Sequence, residues 1–293
     1  MNRTGQTPIR IGRIDYTNVW PVFHYFPETR WGERVQIERQ VPSELNRAMA
    51  EGRIDLGAIS SYSYAEHADQ YWLLPNLSVC AYGRVNSIYL FHRGPLEELR
   101  HGLVATASTS ASSVNLFRIM MRRYLDCSPQ EVSMKPDLNT MMNAADAALL
   151  IGDDAIKATW MNEREGLYQQ TDLGELWRLH TGHWMVFAVW ALRKEAAAAK
   201  PELIEDIYEA LLTSKHQSLS HIAPLVDKAM QRIGGTEAFW HAYFQGLQYG
   251  FGEPQQAGLL TYYQYAWEEG LLERQTTLNF WRPGVPSQTE GER

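Results

Sequence analysis

Small polar residues gather at four places where a short apolar run of this sequence stops, at 15–18, 60–63, 106–110 and 152–154. Their types are those that bind an anion or hold a hydroxyl group. Asn18 carries an amide that can both donate and accept, although Asn is also a common turn residue. Ser60 and Ser61 are ligand donors if they face a cleft and ordinary loop serines if they do not. The run Ser108-Thr109-Ser110-Ala111-Ser112 stands just ahead of an apolar-periodic stretch, 114–125. Free backbone N–H groups and the dipole of a helix starting there attract carboxylate or phosphate. The alternative is an N-cap with spare serines, but the run holds more small polar residues than one cap needs. Asp153 and Asp154 are paired acids at the end of an apolar run. They suit acid–base work, and equally the capping of a helix that begins at Ala155.

Other chemistries find little support. No G-x-S-x-G, P-loop or G-x-G-x-x-G is present, which removes the common hydrolase, NTPase and dinucleotide readings. His180 and His183 are three residues apart, but no third ligand lies near them in a helical pattern, so no metal site is expected. Cys80 and Cys127 form no C-x-x-C and read as buried thiols in a reducing compartment. Net charge is −7, with no basic stripe, which disfavours nucleic acid and anionic membrane as partners. No apolar run reaches signal-peptide or membrane-span length, so a cytoplasmic protein is expected.

The polar clusters need elements to bring them together. With 45% hydrophobic residues the chain can bury a large core. Residues 9–14, 35–39 and 54–59 read as strands. Between them lie an apolar segment at 20–26 and a helix at 44–51, with Ser43 as a plausible N-cap and Gly52 past the C-terminus. A second β-α-β-α-β set follows, with strands at 103–106, 132–135 and 147–151 and helices at 114–125 and 138–145. Such alternation implies parallel strands with helical crossovers. Further strands are expected at 79–82, 86–91 and 185–192, and the chain beyond 201 is nearly all helical. The fold class is therefore α/β, in two lobes, with a helical C-terminal region. Lobe I comprises 1–92 and 186–293, and lobe II, 93–185, is inserted. Ligands of open α/β sheets sit beyond the C-terminal ends of the strands, and all four polar clusters stand at such ends.

Six separated segments carry a resemblance: IGRIDYTNVWPV, VPSELNRAMAEGRIDLGAISSYSYA, LLPNLSVCAYGRVNSIYLF, ATASTSASSVNLFRIMM, AALLIGDDAI and TGHWMVFAVWA. In order and spacing they resemble the chorismate dehydratases of the futalosine route to menaquinone, over 9–272. The resemblance implies a type II periplasmic-binding-protein fold with an interlobe cleft. It also implies a cofactor-free lyase whose small dianionic substrate, chorismate, loses water to give 3-[(1-carboxyvinyl)oxy]benzoate. By the same analogy Asn18, in the Y-T-N-x-x-P motif, is the residue nearest the chemistry. Ser87 of the V-N-S motif and the run Ser108, Thr109, Ser110 match substrate-binding segments. Two departures concern the local pocket shape: His183-Trp184 where a Leu-Pro pair is expected, and Asn86 where a charged or smaller residue is expected.

The implied reaction is chemically undemanding, because losing the carbon-4 hydroxyl and the carbon-3 proton completes an aromatic ring. The enzyme has mainly to position the substrate and move a proton. The two leaving groups share a face, and the carbon-3 proton is acidified through the diene conjugated to the ring carboxylate. No well-placed His, Glu or Lys stands at the strand ends. The expected base is therefore the substrate's own enolpyruvyl carboxylate, with Asn18 holding that group or the hydroxyl, and with Asp153 as the protein-base alternative. Two rivals share the fold: a cytoplasmic solute-binding or sensor protein, and the dihydroxynaphthoate-forming enzyme of the same pathway, which is expected to carry a His near the inserted lobe's helix start.

Overall fold

In the computed structural model, which describes residues 7–107 and 111–284, the chain builds two five-stranded mixed sheets. β1 (Ile9–Ile14) and β3 (Leu56–Ser60) are buried along almost their whole length. A strand covered on both faces belongs in the middle of a sheet with parallel neighbours. β1 accordingly pairs in parallel with β2 (Val35–Gln40) on one side and β3 on the other. α1 (Trp20–Phe23) and α2 (Pro42–Ala50) make the crossovers. Helix α2 begins one residue before the expected cap: Pro42 takes the first position, where a missing N–H costs nothing, and Ser43 makes no capping bond. Gly52 has φ +72, as a residue just past a helix end requires. After α3 (Ser61–Glu66), β4 (Tyr71–Ala81) forms the sheet's edge.

The second sheet has the same plan. β6 (Leu103–Ala107) lies between β7 (Gln130–Met134) and β8 (Ala147–Ile151), all parallel. α4 (Ser112–Leu125) and α5 (Leu138–Ala144) connect them. α6 (Gly152–Glu165), β9 (Gln169–Asp172) and α7 (Leu173–Thr181) follow. Each sheet then takes one strand from across the molecule. β5 (Ile88–His92) runs antiparallel between β8 and β9, and β10 (Met185–Arg193) runs antiparallel between β3 and β4. The orders are β2-β1-β3-β10-β4 and β7-β6-β8-β5-β9. β5 thus belongs to the second sheet. The chain leaves the first sheet between β4 and β5, in 82–87, and returns in 182–184.

Both passages are held closely. The carboxylate of Asp172, which caps α7, accepts the N–H groups of Gly174 (2.9 Å) and Glu175 (3.1 Å). It also accepts those of Val85 (3.1 Å) and Asn86 (2.8 Å) in the outgoing passage. Asn86 sits at φ 56, a conformation Asn tolerates, so its identity there answers a backbone need. Trp184, in the returning passage, stacks its ring against Tyr82 and accepts the Trp177 indole N–H at its carbonyl (3.1 Å). His180 ends in the last turn of α7 against Tyr124, and His183 lies beyond Gly182. Among the described residues no group of His, Cys, Asp or Glu could hold a metal ion, and no helix is long and apolar enough to cross a membrane.

α8 (Lys194–Ala199), α9 (Pro201–Ser220), α10 (Ala223–Arg232), α11 (Glu237–Gly246) and α12 (Glu253–Glu268) pack on the first sheet and reach over to the second. Within α12, Gly258 lies so close to the returning passage that a Cβ there would stand 2.1 Å from the Trp184 carbonyl oxygen. Alanine in a helix interior gains about 1 kcal/mol over glycine, but overpacking against backbone costs about 1–3 kcal/mol. Gly258→Ala is therefore expected to lower the melting temperature by a few degrees. A variant that melts at or above the wild-type temperature would show that α12 can slide without cost.

Candidate active site

The ends of β1, β3, β8 and β10 and the start of α4 enclose a cavity between the sheets, with about 640 Å³ of empty space including its mouth. After β1 the chain makes a single 3-10 turn, Thr17–Val19. The Thr17 N–H and hydroxyl both donate to Asp153 Oδ1, at 3.2 and 2.5 Å. The next residue, Asn18, lines the cavity, and its Oδ1 is buried with no hydrogen-bond partner among the described residues. A buried acceptor without a donor is costly, so the cavity wall carries an oxygen ready for an O–H or N–H group.

Asp153 and Asp154 stand in the first turn of α6, and neither caps it: the N-cap is Ile151 and no side chain bonds there. Asp153 is 7% exposed, is not part of the cavity wall, and ties α6 to the turn that presents Asn18. Burial pushes its carboxyl upward, while the two Thr17 bonds pull the other way. Asp154 accepts weakly from the Tyr16 hydroxyl at 3.4 Å. The Tyr16 ring lies over Gly152, where a Cβ would come within 2.9 Å of it and φ is +60, so glycine is required twice over.

Ser60 faces the cavity as the N-cap of α3. Its Oγ accepts the N–H groups of Ser112 (3.1 Å) and Ser63 (3.4 Å) and lies 2.7 Å from Ser112 Oγ. With both lone pairs engaged, its own hydrogen is left to donate. Ser61 is placed behind the wall, fully buried, donating to the Val186 carbonyl at 2.7 Å. Ser87 lines the cavity and accepts the Tyr243 hydroxyl at 3.2 Å. Ser108, Thr109 and Ser110 lie outside the described residues; Ala111, Ser112 and Ser113, which follow them, are in the wall. No Asp, Glu, His, Lys or Arg lines the cavity among the described residues. His183, Trp184 and Asn86 are not in the wall either.

Comparison with known proteins agrees with this architecture. A family model described as menaquinone biosynthesis matches residues 9–268. The chain belongs to this menaquinone-biosynthesis family. Within it, the protein is 32% identical over 264 residues to the chorismate dehydratase of Thermus thermophilus, covering 86% of this chain and 93% of that one. It is 26% identical over 250 residues to the 1,4-dihydroxy-6-naphtoate synthase of the same organism, covering 80% and 88%. Among solved structures, a protein from Archaeoglobus fulgidus superposes with a TM-score of 0.69 at 16% identity over 92% of this chain and all of that one. The periplasmic aliphatic sulphonate binding protein of Escherichia coli gives 0.65 at 15% identity over 99% and 96%. The fold is thus periplasmic-binding-protein-like, as the six motifs imply.

Two contributors to the site were not singled out from sequence. Ser112 belongs to the polar run but bonds backward to α3 and β10. Tyr243 comes from a helix 156 residues beyond Ser87 and reads there as one more core aromatic. Both Thr17 bonds end on Asp153 Oδ1, which an asparagine can reproduce with its own carbonyl oxygen. Asp153→Asn is therefore expected to fold and keep most of its activity, whereas Asp153→Ala should lose about tenfold or more by releasing the Asn18 turn. Ionising a buried carboxyl whose pKa is raised destabilises the fold from the unfolded-state pKa upward. The stability of Asp153→Asn relative to wild type should accordingly rise as the pH is raised from about 4, where an unfolded-state aspartate ionises. An inactive but folded Asp153→Asn enzyme would instead make Asp153 the base.

Proposed function

We propose that this protein is a chorismate dehydratase, a cofactor-free lyase that converts chorismate to 3-[(1-carboxyvinyl)oxy]benzoate and water. The observation that carries the reading is the chemical pattern of the wall: hydroxyl donors at Ser60 and Ser87, one unpartnered amide oxygen at Asn18 and, among the described residues, no Asp, Glu, His, Lys or Arg. The donors suit carboxylates and the amide oxygen suits the carbon-4 hydroxyl. α4 and α6 also begin at the wall, and their positive ends favour an anion. The resemblance to the Thermus dehydratase supports the substrate assignment. A wall without imidazole speaks against the naphthoate-forming alternative.

The reaction exchanges no electrons with a second reactant, so it needs no redox group. In the proposed course, the enolpyruvyl carboxylate of the substrate takes the carbon-3 proton. The electron pair moves through the ring diene toward the ring carboxylate, where hydrogen bonds stabilise the developing charge. The carbon–oxygen bond at carbon 4 then breaks, the departing hydroxide takes the proton from the enolpyruvyl carboxyl group, and water and the aromatic ring result. Residues 108–110, outside the described residues, are Ser, Thr and Ser, none of them a base. Asn18 orients the hydroxyl through Oδ1 and offers its NH₂ to a carboxylate. We take each sheet with its helices as one lobe, parting at 82–87 and 182–184 to admit the substrate. The free buried cysteines Cys80 and Cys127 suit a cytoplasmic setting.

Incubation with chorismate should produce an aromatic absorbance and a product lighter by one water. A protein that binds chorismate and returns it unchanged would be a binding module, and one that ignores it would refute the reading. Asn18→Ala is expected to lower kcat by about 10²-fold, and Asn18→Asp by more, because it sets a negative charge beside a dianion. Changing Ser108, Thr109 and Ser110 together to Ala should weaken binding by about 1.5–3 kcal/mol for each charge-assisted bond lost. Unchanged affinity, measured by calorimetry, would leave that run as a helix cap.

A further inference from the structure

We infer that Tyr243 is a positioning residue for the elimination, fixing the Ser87 hydroxyl as a donor toward the substrate. The inference rests on the dehydratase reading of the cavity. Ser87 is 2% exposed, and its hydroxyl has three directions to use. One is filled by the Tyr243 hydroxyl, which donates to Ser87 Oγ at 3.2 Å. In a second, the Ser87 hydrogen points at the Val85 carbonyl at 3.3 Å, long for an O–H···O bond. The third opens on the cavity. A hydroxyl that already accepts a donor cannot readily accept another from the ligand, and it gives its hydrogen to the stronger acceptor. A carboxylate is a far stronger acceptor than a distant amide carbonyl. Ser87 is therefore set to donate to an anionic oxygen and to refuse a ligand hydroxyl in the donor role.

The phenol is held for this. Tyr243 is 1% exposed, stacks on Phe239 at 5.9 Å and meets Trp240 edge-on at 5.5 Å. Burial pushes its pKa well above that of a free phenol, so it keeps its hydrogen. The Ser87 main chain cannot drift either, because its carbonyl accepts the Gly152 N–H at 2.7 Å. Tyr243 lines no part of the cavity, and its hydroxyl interacts with Thr17 as well as with Ser87.

A double-mutant cycle on the turnover of chorismate tests this. Tyr243→Phe keeps the ring and removes only the donor. It is expected to melt close to wild type and to lose about fivefold in kcat/KM, in the range of one net hydrogen bond. Ser87→Ala should lose about tenfold or more. The double variant should fall well short of the product of the two single losses, because in it the phenol no longer has Ser87 to orient. Multiplying losses would overturn the inference, as would a Tyr243→Phe enzyme with wild-type kcat/KM. A Tyr243→Phe chain that does not fold would also overturn it, by making the hydroxyl a structural group. A wild type inactive on chorismate would count against the dehydratase reading, whereas an additive cycle in an active wild type would count against Tyr243 alone.

Discussion

One hydroxyl, Ser112 Oγ, joins three elements at the wall of the cleft, and the position of the neighbouring groups depends on it. It lies 2.7 Å from Ser60 Oγ, 2.9 Å from Ser61 Oγ, 3.1 Å from the Tyr62 N–H and 3.0 Å from the Phe187 carbonyl. Four contacts in this cluster call for a hydroxyl hydrogen: Ser60 to Ser112, Ser61 to Ser112, Ser61 to Val186, and Ser112 to Phe187. Three hydroxyls supply three. The hydrogens of Ser61 and Ser112 are best spent on main-chain carbonyls that are otherwise buried, which leaves the Ser61–Ser112 contact without one. Only the Ser60 hydrogen has an outlet to the cavity. A ligand that takes it disturbs neither carbonyl, so α3, α4 and β10 keep their places when the site fills. Two tyrosines of α12 reinforce the node, Tyr262 donating to the Ser112 carbonyl at 3.0 Å and Tyr263 to that of Ser61 at 2.6 Å.

A wall of neutral donors is a consistent solution for a dianion that, in the proposed course, supplies its own base. An arginine against the enolpyruvyl carboxylate would bind the substrate well but lower the basicity of that carboxylate. A dry wall of hydroxyls and helix ends satisfies the anion while leaving its proton affinity high, since desolvation works against the charged form. The same neutrality leaves the elimination's charge shift, from carbon 3 toward the ring carboxylate, as the change the donors can favour selectively. The cost is paid in affinity, which has to come from shape and from several hydrogen bonds acting together.

Much of this was legible in the chain. The strands that end at the cavity, β1, β3 and β8, are apolar runs closed by small polar residues, and their alternation with helices sets the parallel order. Asn18 and Ser60 fall at such ends and do line the cavity. What was not legible is pairing across distance. β5 looks the same whichever sheet receives it, so its place between β8 and β9 could not be read from its residues. β9, with the sequence Gln-Gln-Thr-Asp, is a polar edge strand that carries no apolar alternation to read. Ser61 and Ser60 are adjacent and alike, yet one closes the wall and the other lies behind it, because neighbouring residues at the entry of α3 face different ways. Asp153 suited a cap or a base on local grounds, and its partner Thr17 lies 136 residues away.

The contacts between the two sheets divide by chemistry, and the division separates orientation from opening. Inside, beside the cavity, they are polar: Thr17 with Asp153 and Ser112 with α3. Farther out they include an ion pair between Arg123 of α4 and Glu268 of α12 (2.8 Å) and an aromatic cluster, with Trp160 of α6 edge-on to Phe239 at 5.1 Å and to Trp240 at 6.0 Å, and lying where a side chain at Gly235 would have to be. Water replaces broken polar contacts well, so each holds the closed form by only about 1 kcal/mol net. Aromatic pairs lose their burial on separation and gain nothing comparable from water. If the lobes part as proposed, the aromatic cluster governs how often they do so, and hence the rates of substrate entry and product release. The polar ties govern where Asn18, Ser60 and Ser87 stand once the cleft is shut. The residues that time the cycle are therefore separate from those that aim its chemistry.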